Sequence, residues 1–384
     1  MKIINYKATT ESSGPGHSMS NFETNQTSLT VSISADSRKN NTKKNKKELI
    51  TYYKEKLNSI VTFCGIGGSS IGIQKAGLDV ILAIDNCKSV EEIYKLNFDK
   101  PEKESTFHLH TICDESGKYI LQNFPQIKKG EIALMQCSPV CWLFSKANAN
   151  KVDRNASMET FKSTIKNIDD LQPLTFVIEN VDSLFNKNCR LYWLDLKQRL
   201  DQLNYEYEAC ILNAADFKGG NTTRKRAFII GVRKDLVELG FKPCIPTPNL
   251  ECKSENSLKK VLGSHYTFYT AGDFDKKKVS ADKPCCTLTS HSTNFRLYDD
   301  KFKMCKPTVL EIKKVSALDC LFKFPLNNKG EESYTRVIKG CGNMVNPIVM
   351  KAVCDELLDN VLLPFFELRE NKNNKNKQYE TENK

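Results

Sequence analysis

The sequence predicts an α/β fold in which helices cover both faces of a mostly parallel sheet. Short and continuous apolar runs recur between residues 60 and 232, and segments with helical spacing of apolar residues separate them. A strand that is buried on both faces has the first pattern, because neither face meets water. The alternation of such strands with helices is typical of parallel sheets. A change of rhythm after residue 233 predicts a second, smaller domain.

The apolar runs predict the strands of the sheet, and the helices are predicted between them. The predicted strands are residues 60–63, 80–84, 132–135, 176–178 and 227–232, and the segment 205–212 precedes the last of them. The predicted helices are residues 71–76, 90–96, 161–171 and 191–203. Glycines follow the first strand and lead into the first helix, which marks a strand-to-helix turn.

After residue 233, prolines interrupt the pattern and polar residues mix with aromatic ones. Two helices are still predicted there, at 313–324 and 347–363, and the second is apolar enough to pack back onto the sheet. The predicted division is a disordered leader at 1–47, the main sheet domain at 48–233, a small irregular domain at 234–325, a return to the main domain at 326–366 and a disordered tail at 367–384. The leader and the tail are rich in polar and charged residues, which favours disorder.

Composition indicates an intracellular protein, nuclear or cytoplasmic, that is not secreted. The 384 residues include 15 cysteines without a CxxC pair, and the N-terminus lacks the apolar core of a secretory leader. Such cysteine usage favours reduced thiols over a disulfide scaffold. No apolar run approaches the roughly 20 residues that a membrane-spanning helix needs, so no membrane partner is expected. Neither the Cys285–Cys286 pair nor the set His108, His110 and Cys113 has the spacing of a closed zinc site, and no metal is expected.

The net charge of +11 is concentrated near the start of the chain. Between Arg38 and Lys56, eight lysines and arginines stand against two glutamates. Such a run suits a polyanionic partner, or it belongs to a solvated and disordered leader.

A glycine-rich turn and an acidic residue follow the first two strands. In Phe63-Cys64-Gly65-Ile66-Gly67-Gly68, glycines would let a ligand approach the backbone, and the next helix would point N–H groups at a negative group. Asp85 ends the second strand, where its carboxylate can accept two ribose hydroxyls or cap the following helix.

Reactive and charged side chains follow the later strands. Cys141 lies in Pro139-Val140-Cys141-Trp142-Leu143-Phe144-Ser145, a loop after a strand, where an adjacent helix N-terminus would lower the pKa of a thiol. Glu179 ends the strand 176–178. Arg224 and Arg226 precede the last strand, and alternate residues of an extended segment point the same way, so both could face one site. Each also has a structural interpretation, as a buried cysteine, a capping acid or a solvated basic turn.

Together with Gly342-Asn343-Met344-Val345-Asn346-Pro347, these motifs in this order resemble the cytosine-C5 methyltransferase family over roughly residues 60–363. The resemblance implies a Rossmann-like, S-adenosylmethionine-dependent methyltransferase sheet domain at 48–233 and a target-recognition domain at 234–325. It also implies a monomer that acts on double-stranded DNA, with the target cytosine flipped out of the helix.

The resemblance implies a role for each site residue. Cys141 would add to carbon 6 of cytosine so that carbon 5 can take the methyl group, and Glu179 would protonate N3. Arg224 and Arg226 would face the base, with Arg226 on its O2. The residues implied to bind S-adenosylmethionine are Phe63, Gly65, Gly67, Gly68, Asp85, Asn86, Pro139, Asn343 and Val345.

Two alternatives remain open at this point. Thr222 replaces a glutamine of the family and Ala317 a glutamate, and Val140 and Trp142 stand where the family has proline and glutamine. The departures at Val140 and Trp142 fit a nucleic-acid-binding relative that has lost activity. The other alternative is a tRNA cytosine-C5 methyltransferase, although the Cys-Phe-Thr sequence of that branch is absent from the target region.

Overall fold

The computed structural model describes residues 45–141, 144, 154–270, 278–290 and 295–382. The strands of its larger sheet are β1 (Asn58–Thr62), β2 (Asp79–Asp85), β3 (Phe107–Leu109), β4 (Leu134–Cys137), β5 (Thr175–Val181), β6 (Tyr205–Asn213) and β7 (Lys225–Arg233). Their order across this seven-stranded sheet is β3-β2-β1-β4-β5-β7-β6. The strands β1 to β5 pair in parallel, whereas β7 is antiparallel to both β5 and β6. The predicted α/β fold with a mostly parallel sheet is confirmed.

Helices cover both faces of this sheet. Helix α1 (Lys46–Tyr52) precedes the first strand. The helices between the strands are α2 (Gly68–Ala76), α3 (Lys88–Phe98), α4 (Ser116–Asn123), α5 (Arg154–Leu171) and α6 (Arg190–Asp201). Because successive residues of a strand point to opposite faces, Ile60 packs with α4, α5 and α6, while Val61 packs with α2 and α3. Burial on both faces explains why the strands appear as continuous apolar runs. The short β3 and α4 carry few apolar residues and were not predicted.

The later helices are α7 (Lys234–Glu238), α8 (Cys252–Glu255), α9 (Leu258–Leu262), α10 (Val309–Val315), α11 (Tyr334–Asn343), α12 (Pro347–Leu357) and α13 (Leu363–Glu382), with a π-helical turn at Leu358–Leu362 before α13. Helix α12 lies against α2, and a Cβ atom on Gly72 would be only 2.5 Å from the carbonyl oxygen of Pro347. The last part of the chain therefore packs directly beside the glycine-rich turn that follows β1.

A second, smaller sheet lies apart from the first. Its strands are β8 (Tyr266–Thr270), β9 (Lys278–Ser280), β10 (Leu297–Asp299) and β11 (Met304–Cys305), all antiparallel in the order β11-β10-β8-β9. Tyr269 and Leu297 on its inner face join an apolar cluster with Ile312 of α10 and with Val337 and Ile338 of α11. The small sheet is thus held by helices from the C-terminal part of the chain.

Three sequence-based expectations need correction. The helix predicted at 313–324 is α10, which ends at Val315, and Ala317 then adopts a left-handed φ of +59° that turns the chain. The tail predicted to be disordered continues as α13 through residue 382, after the buried Phe366 of that helix. The leader predicted to be disordered ends earlier than residue 47, because Lys46 begins α1 and forms ion pairs with Asp355 and Asp359.

Residues 1–44 of the predicted leader lie outside the described part of the chain. Across the described ranges, no helix combines the length and the apolar character needed to cross a membrane.

Candidate active site

The candidate site lies along one edge of the larger sheet, where β1, β2, β4 and β5 end. Their register aligns Thr62, Ile84, Cys137 and Ile178. A predicted site residue follows each of them in the sequence. Phe63 follows Thr62, Asp85 follows Ile84 and Glu179 follows Ile178, while the loop that contains Cys141 follows Cys137. The parallel register therefore brings together residues that are far apart in the sequence. Ligands of open α/β sheets bind at this carboxyl edge.

The glycine-rich turn after β1 depends on glycine at three positions, for different reasons. Gly65 and Gly67 have left-handed φ values of +54° and +97°. A Cβ atom on Gly67 would lie 2.3 Å from the ring of Phe98, and one on Gly68 would lie 2.2 Å from the carbonyl oxygen of Val345. By contrast, a Cβ atom on Gly65 would meet no described heavy atom within 4 Å. Gly68 thus allows the C-terminal segment to approach, while Gly65 leaves space beside the turn.

Asp85 links the glycine-rich turn to the end of β2. Its Oδ2 accepts a hydrogen bond from the Gly65 N–H, and its Oδ1 accepts one from the Cys87 N–H, both at 3.0 Å. Burial raises the pKa of the Asp85 carboxyl, and these N–H groups oppose the shift. Each oxygen can accept a further bond. The neighbouring Asn86 is exposed, and Phe63 is half-buried with a left-handed φ of +55°.

The loop after β4 holds Cys141 beside β5. Pro139 is buried, and its carbonyl oxygen accepts a 3.0 Å hydrogen bond from the side-chain amide of Asn180. Ser183 donates a hydrogen bond to the carbonyl oxygen of Phe144, which anchors the loop a second time. Trp142 lies outside the described residues.

The expected lowering of the Cys141 pKa is wrong. Burial raises the pKa of this thiol, and the negative charge of Glu179 raises it further, while Arg226 and Arg224 oppose both effects. Desolvation disfavours the thiolate, and here it exceeds the effect of the two cations. Because the charges of Glu179, Arg224 and Arg226 all act on the Cys141 thiol, the four residues predicted to be catalytic lie near one another.

Glu179 and Arg226 form an ion pair in the site. The distance from Arg226 Nε to Glu179 Oε1 is 3.2 Å, and the two side chains are 16% and 8% exposed, respectively. Arg226 pairs with Val181 across β5 and β7, two residues beyond Glu179, so both side chains lie on the same face. The antiparallel β7 therefore supplies a cation that the parallel strands alone would lack.

Arg224 contacts other parts of the chain. Its Nη1 donates hydrogen bonds to the carbonyl oxygens of Leu288 and Gly342, at 3.1 and 3.0 Å. Its buried Nε has no hydrogen-bond partner among the described residues. Burial, assisted by the charge of Arg226, lowers the pKa of Arg224 to about 9, so the group stays charged at neutral pH. Arg224 thus joins β7 to the loop before the small sheet's third strand and to the end of α11.

The C-terminal segment reaches the site through Val345, which is buried against Gly68, whereas Asn343 is exposed. Sequence reasoning assigned no role to Asn346. Its Oδ1 accepts hydrogen bonds from the N–H groups of Ile348 and Val349, and its Nδ2 donates to the Gly220 carbonyl oxygen at 3.0 Å. An asparagine followed by proline is a recognisable start of a helix, and this signal could have identified it.

Comparison with known proteins agrees with this arrangement. The sequence model of the C-5 cytosine-specific DNA methylase family matches residues 57–294. The Type II methyltransferase M.FnuDI of Fusobacterium nucleatum is 27% identical over 229 residues, which are 60% of each chain. The chain thus spans less than two thirds of the length of this relative.

Two solved structures share the fold. One is a DNA modification methyltransferase encoded within a prophage of E. coli, with a TM-score of 0.55, 18% identity, and coverage of 79% of this chain and 99% of that one. The other is Spodoptera frugiperda DNMT2, with a TM-score of 0.55, 18% identity, and coverage of 79% and 98%. The range matched by the family model contains the glycine-rich turn, Cys141, Glu179 and both arginines. The chain belongs to the C-5 cytosine-specific DNA methylase family.

Proposed function

We propose that the chain transfers a methyl group from S-adenosylmethionine to carbon 5 of cytosine in DNA, through a covalent bond between Cys141 and carbon 6. The observation that carries this proposal is the position of Cys141 beside the buried pair of Glu179 and Arg226. A thiol, a carboxyl group and a guanidinium at one edge match the three demands of the reaction. These are a nucleophile for carbon 6, an acid for N3 and a cation for O2 of the base.

Cys141 acts as the nucleophile. Because burial raises its pKa, the free enzyme holds it mainly as the thiol at neutral pH. The cations Arg224 and Arg226 favour the thiolate once the proton leaves. The Cys141 thiol would lose its proton to solvent, and its sulfur would add to carbon 6 while Glu179 protonates N3, which makes carbon 5 nucleophilic. Once carbon 5 has taken the methyl group, solvent would accept the carbon 5 proton, the bond between sulfur and carbon 6 would break, and the N3 proton would return to Glu179, so that Cys141 leaves as the thiolate. The base must leave the helical stack for this addition, so the proposal includes base flipping.

Glu179 and Arg226 separate when the base binds. Proton donation to N3 needs a protonated Glu179, yet its carboxylate pairs with Arg226 in the free protein. If the base enters between the two groups, Arg226 becomes free to donate to O2 and Glu179 becomes free to take up a proton. The pair therefore holds both groups in place before the substrate arrives.

The residues at the ends of β1 and β2 fit S-adenosylmethionine. Gly65 leaves open space beside a turn whose N–H groups lead into α2, which suits the carboxylate end of the cofactor. Asp85 can still accept ribose hydroxyls, since a carboxylate has about four lone-pair sites and the N–H groups of Gly65, Cys87 and Asn86 do not fill them all. Phe63, Gly67, Gly68, Asn86, Pro139, Asn343 and Val345 complete the proposed set. When bound, S-adenosylmethionine supplies the methyl group as the electrophile that carbon 5 takes.

The small sheet belongs to the region that we propose for target recognition, residues 234–325, with 48–233 and 326–366 as the catalytic domain. Arg224, which directly precedes β7, connects the two regions by donating to Leu288 in the first and to Gly342 in the second. We further propose that the protein acts as a monomer on double-stranded DNA inside the cell. All 15 cysteines are described, and none of them forms a disulfide.

Incubation with S-adenosylmethionine labelled in its methyl group, and with duplex DNA or tRNA, tests the proposal. Label in carbon 5 of DNA cytosine supports it, and label only in tRNA favours the tRNA enzyme. Unmodified nucleic acid that still binds the protein favours the inactive relative. The likeness to DNMT2 concerns the fold alone and does not choose between DNA and tRNA.

A further inference from the structure

One face of the small sheet lies outside the apolar core. Tyr269 and Leu297 pair across β8 and β10 and point into the core. Their neighbours Phe268 and Tyr298 also pair with each other, and they point to the opposite side because successive side chains alternate. We define the outer face as Phe268, Tyr298, Lys278, Met304 and Phe302.

Aromatic and cationic groups contact one another on the outer face. The rings of Phe268 and Phe302 are nearly parallel, with centroids 6.0 Å apart and an angle of 22° between their planes. The Lys278 ammonium lies 4.4 Å from the centroid of the Tyr298 ring. The Tyr298 hydroxyl donates to the sulfur of Met304 at 3.6 Å. The outer face therefore carries three aromatic rings with a positive charge beside them.

Phe302 is exposed at the tip of the hairpin between β10 and β11. Its side chain is among the exposed large apolar groups, with 63% of the residue accessible to solvent. Its φ is +58°, in the left-handed region where glycine or asparagine is usual. The Asp299 carboxylate fixes this turn by accepting the N–H groups of Lys301 and Lys303, at 3.0 and 2.8 Å. A bulky aromatic residue in this conformation costs stability and does not fill the core, which points to a role in binding.

The lysines around the hairpin give the outer face an excess of positive charge. Lys278, Lys301 and Lys303 are exposed, and none of them forms an ion pair with a described residue. Among the described residues of this hairpin, the opposing acids are Asp299 and Asp300, and one oxygen of Asp299 already accepts two backbone N–H groups. Flat rings with uncompensated lysines suit bases with phosphates between them.

We propose that the outer face binds unpaired nucleotides, with bases stacked on Phe302 and Phe268 and phosphates held by Lys278, Lys301 and Lys303. Bases within a duplex have their ring faces covered by neighbouring pairs, so the outer face selects single-stranded segments. The inference rests on the proposed function, because an unpaired segment beside a duplex would give the DNA that the chain modifies a second point of attachment.

The test measures binding of a fluorescent twelve-residue oligothymidine to the wild-type chain by anisotropy, beside the matching duplex with oligoadenosine. An oligothymidine contains no cytosine, so the proposed catalytic site is not engaged. We expect the single strand to bind more tightly than the duplex. Phe302→Ala should weaken it roughly 5- to 100-fold, the range for losing one stacked base. Phe302→Trp keeps a ring for stacking, so it should bind the oligothymidine as tightly as the wild type does. Leu191 of α6 is 80% exposed, and Leu191→Ala is the control that should leave the affinity unchanged.

A second variant separates binding from folding. Phe302→Gly relieves the left-handed backbone, so its melting temperature should rise while oligothymidine binding falls as in Phe302→Ala. Binding that is equal in Phe302→Ala and wild type would overturn the inference. The inference would also be overturned if sedimentation showed that the wild-type chain is a dimer, and if Phe302→Ala dissociated this dimer without changing the affinity for oligothymidine. Methyl transfer to duplex DNA is assayed separately. If the wild-type chain binds oligothymidine but transfers no methyl group, only the proposed function is contradicted.

Discussion

Glu179 on β5 and Arg226 on β7 hold each other at 3.2 Å across two strands that run in opposite directions. A pair that is this buried is stabilising only while both partners are present, because loss of one leaves an uncompensated charge. The relationship also means that neither group can contact a substrate without competition from the other.

Replacement of Glu179 by glutamine should lower the rate of methyl transfer roughly 10²- to 10⁴-fold, the range for a positioned general acid. Arg226→Gln should also lower it, and the double variant should lose less than the two single losses combined, since the groups act on one base. Single-turnover rates provide the measurement, with the exposed Glu206→Gln on β6 as control. Additive losses would show that the two side chains act independently.

Cys141→Ser should bind S-adenosylmethionine normally and lose methyl transfer by several orders of magnitude, because serine forms no comparable nucleophile near neutral pH. DNA with 5-fluorocytosine should trap the wild-type chain in a complex that resists denaturant, since fluorine cannot leave as a proton does. Peptide mapping should place the bond at Cys141. The exposed Cys113→Ser is the matched control, and normal turnover by Cys141→Ser would refute the assignment.

The single-turnover rate should rise with pH into the alkaline range, since the raised pKa of Cys141 keeps the nucleophile protonated near neutrality. Arg226 opposes this shift, so Arg226→Gln should move the profile to still higher pH. Stability should change in the opposite direction. Above about pH 8.5 the unfolded chain releases a thiol proton that the folded chain retains, so folding weakens as pH rises. Comparison of Cys141→Ala with wild type isolates this contribution from that of other buried cysteines, and a pH-independent rate would contradict the prediction.

Gly68→Ala should destabilise the protein more than Gly65→Ala. A methyl group on Gly68 meets the Val345 carbonyl oxygen at 2.2 Å, and backbone on both sides has to move. Overpacking of this kind costs about 1–3 kcal/mol. Gly65→Ala introduces only the strain of a left-handed alanine, about 1 kcal/mol. Urea unfolding of both variants gives the comparison, and equal losses would mean that the C-terminal segment does not constrain the turn.

The sheet was predictable because its central strands are buried on both faces. The run at 176–178 is apolar for that reason, and it appears within β5. Residues outside such strands gave weaker signals. The short β3 carries His108 between two apolar residues, and α11 begins at Tyr334 without a side-chain cap.

Within the site, sequence could order the residues but not their electrostatics. Spacing in the chain placed Arg224 and Arg226 on one side, yet only Arg226 pairs with Glu179, whereas Arg224 donates to two carbonyl groups. The thiol pKa of Cys141 depends on how deeply its loop is buried, and no local pattern encodes that depth. Tertiary packing decided both outcomes.

The contact between α12 and α2 has a consequence for synthesis of the chain. Pro347 is synthesised 275 residues after Gly72 of α2, although its carbonyl oxygen lies only 2.5 Å from the place where a Cβ atom on Gly72 would be. Until then, the apolar side of β1 that holds Val61 lacks the partners Val349 and Val353. A chain that has not yet been extended to α12 therefore lacks this part of the cover over Val61, and incompletely packed intermediates of this kind aggregate. Completion of the cover over the larger sheet thus waits for a segment that is distant in sequence, and such non-local contacts slow folding.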